Sequence, residues 1–225
     1  MAKNKLFRFA EMKKMDHVFE PAMDDIKNDK TGYNGNWRKE VFKNENPIVL
    51  ELGCGKGEYA VGLAKKYPNK NFIGVDIKGA RMYVGAKQCE DEGIENVAFL
   101  RTKVDFIDKL FAEDEVDEIW LTFSDPQPNK PNKRLTSKIF VDRYRKILKE
   151  GGKVHLKTDS DVLFESTEEQ IKEHGYDCSF FTWDLYRDIQ EMPDDIHDIL
   201  HIKTHYEELF TQRGHQIKYC QFRIH

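Results

Sequence analysis

A chain of 225 residues with 36 basic and 40 acidic side chains, net charge −4, has room for one sizeable core but lacks the bulk positive charge of a wholesale nucleic-acid binder. Any nucleic-acid site must therefore be a local basic patch. Cys54, Cys89, Cys178 and Cys220 form no Cys-x-x-Cys pair, which argues against structural zinc or a disulfide framework and for reduced thiols in the cytoplasm; no apolar run reaches membrane-spanning length and no signal peptide opens the chain.

Residues 1–47 mix basic, aromatic and turn-forming residues without a long periodic pattern, and predict a partly ordered arm ahead of a domain spanning 48–225. Lys3, Lys5, Arg8, Lys13 and Lys14 interleave with Phe7 and Phe9, a pattern that fits either a solvated tail or a single-stranded nucleic-acid contact. Then comes the stretch around which the chain is organised. Ile48 to Leu52 is an apolar run that ends in Gly53-Cys54-Gly55-Lys56-Gly57 and passes at once into a helical pattern from Tyr59 to Tyr67. Strand, glycine loop and helix in that order make a cofactor loop at the end of a parallel strand.

The spacing narrows the ligand. A dinucleotide fingerprint would place its third glycine on Glu58, and a P-loop would need Ser or Thr after Lys56, where Gly57 stands. Glu51 puts a carboxylate just ahead of the loop, which repels a pyrophosphate and suits a cationic cofactor. The next strand, Asn71 to Asp76, ends in an acid at a distance that suits a ribose diol. These features resemble the class I S-adenosylmethionine-dependent methyltransferases.

A helix is predicted over Lys78 to Glu92, strands over Asn96 to Arg101, Val116 to Phe123 and Lys153 to Thr158, and a helix over Thr136 to Glu150 stopped by Gly151-Gly152. Asp161 to His174 reads as a helix, and Asp177 to Leu185 and His215 to Ile224 as strands. Tyr186 to Lys203 reads as an acidic, irregular insertion shaping a substrate mouth. The sum is an α/β fold with a doubly wound, mostly parallel seven-stranded sheet and an antiparallel C-terminal strand.

Ligands of such folds bind outside the carboxyl ends of the strands. There Thr122-Phe123-Ser124-Asp125-Pro126-Gln127-Pro128 holds Asp125 between prolines, and Asn129-Lys130-Pro131-Asn132-Lys133-Arg134 supplies the local basic patch, with Lys133 and Arg134 as RNA contacts. Lys138, Arg143, Arg145 and Lys146 continue it along a helix, Arg145 and Lys146 reading first as a solvated face. His197, His201 and His205 share a spacing of four but read as surface histidines rather than metal ligands. Trp37, Trp120 and Trp183 read first as packing residues.

The Phe123 to Pro128 stretch, the basic loop, Lys157-Thr158-Asp159, and Thr204-His205-Tyr206-Glu207 with Arg213-Gly214 together resemble the bacterial tRNA (guanine-N7-)-methyltransferases of the TrmB type, from about Pro47 to the C-terminus. The resemblance implies S-adenosylmethionine as cofactor, tRNA as partner, and methylation of N7 of the variable-loop guanine. It implies that Glu51, Asp76 and Asp125, with Gly53, Gly55 and Gly57, face the cofactor, that Lys103 occupies the adenine position, and that Lys130, Asp159, Thr204 and Glu207 serve the substrate. Asp125 is the residue expected nearest the chemistry.

Three positions depart from the family pattern: Gln127 stands where a tryptophan is usual, Lys103 where an acid is expected, and the basic loop is short, so its lysine falls on Asn129 or Lys130. No metal and no protein partner are implied, and the chain is compatible with a monomer or a homodimer. A small-molecule methyltransferase and a non-catalytic RNA-binding protein of the same fold are the competing readings, with a nicotinamide oxidoreductase more distant.

Overall fold

The computed structural model describes residues 2–225 apart from 193, 203, 205, 206, 208, 210, 212 and 213, and only the backbone of 2–4, 194, 195 and 198. Its centre is an eight-stranded sheet in the order β1-β4-β3-β2-β5-β6-β8-β7. The strands are β1 (Val18–Phe19), β2 (Ile48–Leu52), β3 (Asn71–Asp76), β4 (Val97–Arg101), β5 (Val116–Thr122), β6 (Leu148–Thr158), β7 (Asp177–Thr182) and β8 (Lys218–Arg223). The first six run parallel, and β8 lies antiparallel between β6 and β7.

All five residues of β2 are buried, as expected of a central parallel strand covered on both faces. Its side chains alternate: Ile48, Leu50 and Leu52 join one apolar cluster, Val49 the other. The first cluster receives α2 (Met23–Lys27), α5 (Ile107–Leu110), α6 (Lys138–Tyr144) and α7 (Asp161–His174). The second receives α1 (Ala2–Met12), α3 (Glu58–Lys66), α4 (Gly79–Glu92), α8 (Leu185–Asp188) and α9 (Asp194–Leu200). Among the described residues, no helix is long and apolar enough to cross a membrane.

The eighth strand comes from the segment ahead of residue 48. There β1 pairs with β4, and Trp37 is fully buried, stacked on Phe111 with its indole N–H donating to the Leu110 carbonyl at 2.8 Å. Glu115 accepts from the backbone N–H groups of Gly35 and Trp37 at 2.9 and 3.1 Å, which ties this segment to the turn before β5.

Two further stretches differ from expectation. The helix predicted over Thr136 to Glu150 ends at Tyr144, and β6 begins at Leu148, because Ile147 and Leu148 are fully buried beside β5. The Gly151-Gly152 pair is a kink inside that strand, with Gly151 at φ +73° and a register shift against β5, not a helix stop. The stretch expected to be irregular after Leu185 holds α8, a 3-10 turn at Ile189–Glu191, and α9. Leu185, Ile189, Met192, Ile196, Ile199 and Leu200 are buried in the core, so the acids mask an amphipathic pattern.

Candidate active site

The strand order reverses between β2 and β5, and the crevice lies there. A cleft of about 560 Å³ opens at this point, a volume ordinary for a small-molecule site. It brings together Glu51, Gly53, Gly55, Asp76, Lys103, Asp125, Lys130, Lys133 and Thr204.

Glu51 closes the cleft floor. It is buried, accepts from the Ala60 N–H at 2.9 Å and from the Thr122 hydroxyl, and so locks the ends of β2 and β5 to the start of α3. Burial pushes its pKa up to about 7 against those two hydrogen bonds, with the nearby charges of Asp76 and Glu58 pushing the same way as burial. Asp76 accepts from Gly55 N–H at 2.9 Å and from Lys78 N–H at 2.8 Å, which fixes the glycine loop against the tip of β3.

The glycines divide the work. Gly55, at φ +57°, has open space where a Cβ would stand, so a ligand can approach its backbone. Gly57 was expected on the same ligand face, but it is buried outside the cleft lining: a Cβ there would lie 2.4 Å from the Phe99 ring. Its need for glycine comes from helix-to-sheet packing at φ +75°.

Asp125 is exposed, at the tip of a loop flanked by Phe123 at φ +49° and Gln127 at φ +44°. Left-handed angles at bulky residues are costly and cluster at functional sites. The Asp125 carboxylate accepts from Gln127 N–H at 3.0 Å, and Phe123 N–H donates to the Lys157 carbonyl at 2.9 Å, so both sides of the loop are held. Ser124 Oγ, buried and on the cleft wall, has no hydrogen-bond partner among the described residues.

The basic loop splits into different roles. Lys130 is exposed on the rim; Lys133 reaches across it to Asp105 at 3.2 Å. Arg134, expected to contact RNA, is buried and donates through Nε to the Pro126 carbonyl at 3.0 Å, bracing the Asp125 loop instead. Lys138, Arg145 and Lys146 pair with Asp142 and Asp108 on the surface.

Lys103 lines the cleft at the start of a 3-10 turn, with Asp105 beside it. Asp159 follows β6 outside the cleft lining, half-buried, its carbonyl accepting from Lys218 Nζ at 2.9 Å. Thr204 is buried on the cleft wall and accepts the Glu207 N–H at 3.2 Å. Glu207, expected beside the substrate, is fully buried: one oxygen pairs with Lys157 Nζ at 2.8 Å and accepts from the Tyr186 hydroxyl. An unpaired ammonium at Lys157 would be too costly to bury, which explains why the carboxylate turns inward. The His205-Tyr206 and Arg213 positions of the motif lie outside the described residues, and so does His205 of the histidine series; His197 and His201 stack edge to face at 4.9 Å.

Sequence reasoning missed Ser124 and Thr122 as cleft residues and Lys157 as a buried cation. Local spacing offers no signal for Lys157, which alternates with Lys153 and His155 on the polar side of β6, opposite Val154 and Leu156.

Comparison with known proteins places the chain. A family model described as "Putative methyltransferase" matches residues 45–220. Among solved structures, the 16S rRNA methyltransferase KamB superposes with a TM-score of 0.59 at 11% identity, over 82% of this chain and 90% of that one, a likeness of fold. A 16S rRNA (adenine(1408)-N(1))-methyltransferase variant from Catenulisporales acidiphilia, with cosubstrate SAM, gives 0.56 at 14% identity, over 84% and 89%. The tRNA (guanine-N(7)-)-methyltransferase of Bacteroides fragilis is 54% identical over 100% of this chain and 87% of its own length. That of Christiangramia forsetii is 43% identical over 99% of both. With the strand-end cleft, the family match and full-length relatives agreeing, the chain belongs to the tRNA (guanine-N(7)-)-methyltransferase family.

Proposed function

We propose that this chain transfers a methyl group from S-adenosylmethionine to N7 of a guanine in tRNA, in the variable loop by family resemblance. The observation that carries the reading is one cleft with two unlike walls: a buried and a half-buried carboxylate with a glycine loop on one side, an exposed acid and an exposed lysine loop on the other.

The residues present fit the cofactor. Gly55 leaves backbone open to a ligand, Glu51 and Asp76 provide negative charge beside it, and the buried Ser124 hydroxyl on the wall has no partner among the described residues. Glu51, Gly53, Gly55, Asp76 and Lys103 would hold it, with Gly57 shaping the loop from behind. When bound, it supplies a cationic sulfonium methyl as electrophile.

Guanine N7 presents a lone pair and no proton, so the chain needs no general base there; its task is to align the purine and exclude water. The Asp125 carboxylate, held by the strained loop, offers negative charge beside a purine ring that becomes cationic as N7 is alkylated. Asp159 and Thr204 offer acceptors for the guanine N1–H and exocyclic amine, with Glu207 holding the segment that carries Thr204. Lys130 and Lys133 meet phosphates, which favours an RNA over a small-molecule substrate.

Incubation with methyl-labelled S-adenosylmethionine and bulk tRNA, followed by mapping of the modified base, tests the reading. Label at guanine N7 in tRNA is expected; label confined to small molecules, or binding of both ligands without transfer, overturns it.

A further inference from the structure

Lys157 sits near the carboxyl end of β6 and is fully buried, yet it belongs to none of the expected site residues. Its ammonium carries three donors. Among the described residues they reach acceptors on one stretch of chain: the Leu200 carbonyl at 2.8 Å, the Ile202 carbonyl at 3.2 Å and the Glu207 carboxylate at 2.8 Å. The same ammonium stands 5.5 Å from the centre of the Tyr59 ring, and the Tyr59 hydroxyl donates to the Ile199 carbonyl at 3.2 Å. Leu200 is the last residue of α9, where carbonyls lose their helical partners and a cation is favoured.

The main chain of the same residue faces the other wall. The Lys157 carbonyl accepts from Phe123 N–H at 2.9 Å, at the left-handed residue that starts the Asp125 loop. Thr204, on the cleft wall, lies between Ile202 and Glu207, both held by the ammonium. One residue therefore grips the Asp125 loop by its backbone and the Thr204 segment by its side chain. Packing alone does not call for a charge here, because an apolar side chain would fill the space without desolvation cost. What the charge adds is direction: carbonyls and a carboxylate held at defined points, and the two walls with them.

We propose that Lys157 is a positioning residue which, through Glu207 and the Leu200 and Ile202 carbonyls, sets the Thr204 wall opposite Asp125. The proposal rests on the methyltransferase reading for its kinetic consequence, while the tether itself is independent of the substrate. A misplacement of about 1 Å at a reacting site costs about 100-fold in rate, so loss of the tether should be visible in turnover.

The test uses the full chain with tRNA and S-adenosylmethionine. Lys157→Met alone strands a buried carboxylate and serves only as the destabilised reference; Lys157→Met combined with Glu207→Gln removes both charges and is the informative variant. The double variant is expected to melt near the wild type and bind S-adenosylmethionine within twofold. Its single-turnover rate on tRNA should fall at least about tenfold, and the amide hydrogens of Leu200, Ile202, Thr204 and Glu207 should exchange faster. Wild-type rate and wild-type protection in the folded double variant overturn the proposal. Cofactor affinity falling in step with turnover also overturns it, since the pair would then support the core as a whole. If wild-type protein labels no tRNA, the functional reading fails, and the exchange measurement still decides the tether.

Discussion

The two walls of the cleft are built in opposite ways. The wall with Glu51, the glycine loop and Asp76 comes from one short strand-loop-helix passage and the next strand, and its acids are spent on protein: Glu51 on Ala60 and Thr122, Asp76 on Gly55 and Lys78. The wall with Asp125, the lysine loop and Thr204 is gathered from segments some eighty residues apart, and its acid and lysines are exposed. A wall whose carboxylates hold backbone donors in place is preorganised for one small ligand. A wall of exposed charges on a braced loop suits a large polyanion that brings its own shape.

That contrast can be broken most sharply at Asp125. Asp125→Asn keeps an acceptor for Gln127 N–H and removes only the charge. The single-turnover rate on tRNA should drop about 100-fold, well beyond any loss in cofactor affinity. An equal loss in S-adenosylmethionine binding by calorimetry would move Asp125 to the opposite wall.

Glu51 carries the next largest effect, about tenfold in cofactor affinity for Glu51→Gln, and a pH signature. Its folded pKa of about 7 lies above the 4.5 of a free glutamate, so the folded protein holds a proton that the unfolded chain releases. Stability from this group is therefore full below about 4.5, declines as pH rises towards 7, and is flat above. A cationic cofactor prefers the ionised form, so wild-type affinity should rise with pH through about 7, with proton release on binding visible as buffer-dependent heat. Glu51→Gln should show neither; a wild-type affinity flat across that range would remove Glu51 from the cofactor.

The smallest effect separates the lysines from their neighbour. Lys130→Ala with Lys133→Ala should flatten the salt dependence of tRNA binding by up to about two phosphate contacts, whereas Arg134→Ala should leave the slope alone and lower turnover through the Pro126 brace. Equal slopes for both variants would return Arg134 to the RNA surface.

Whatever local spacing encodes is legible from the chain alone. Strand, glycine loop and helix at 48–66, the acid ending β3, and the alternation of strands with crossover helices follow from periodicities and turn residues confined to short windows. So a mostly parallel sheet, apart from β1, with loops for a ligand at its strand ends was legible, and full-length relatives agree with the family read from the late motifs. The tertiary structure alone decided which charges face inward. In sequence Arg134 reads as an RNA contact and Glu207 as a substrate residue, but Pro126 and Lys157, 8 and 50 residues away, draw them out of solvent. Gly57 looks like its neighbours in the loop until Phe99 stands behind it. The final residues of a strand or loop take their roles from partners distant in the chain, because a buried charge or a missing Cβ is set by what packs against it.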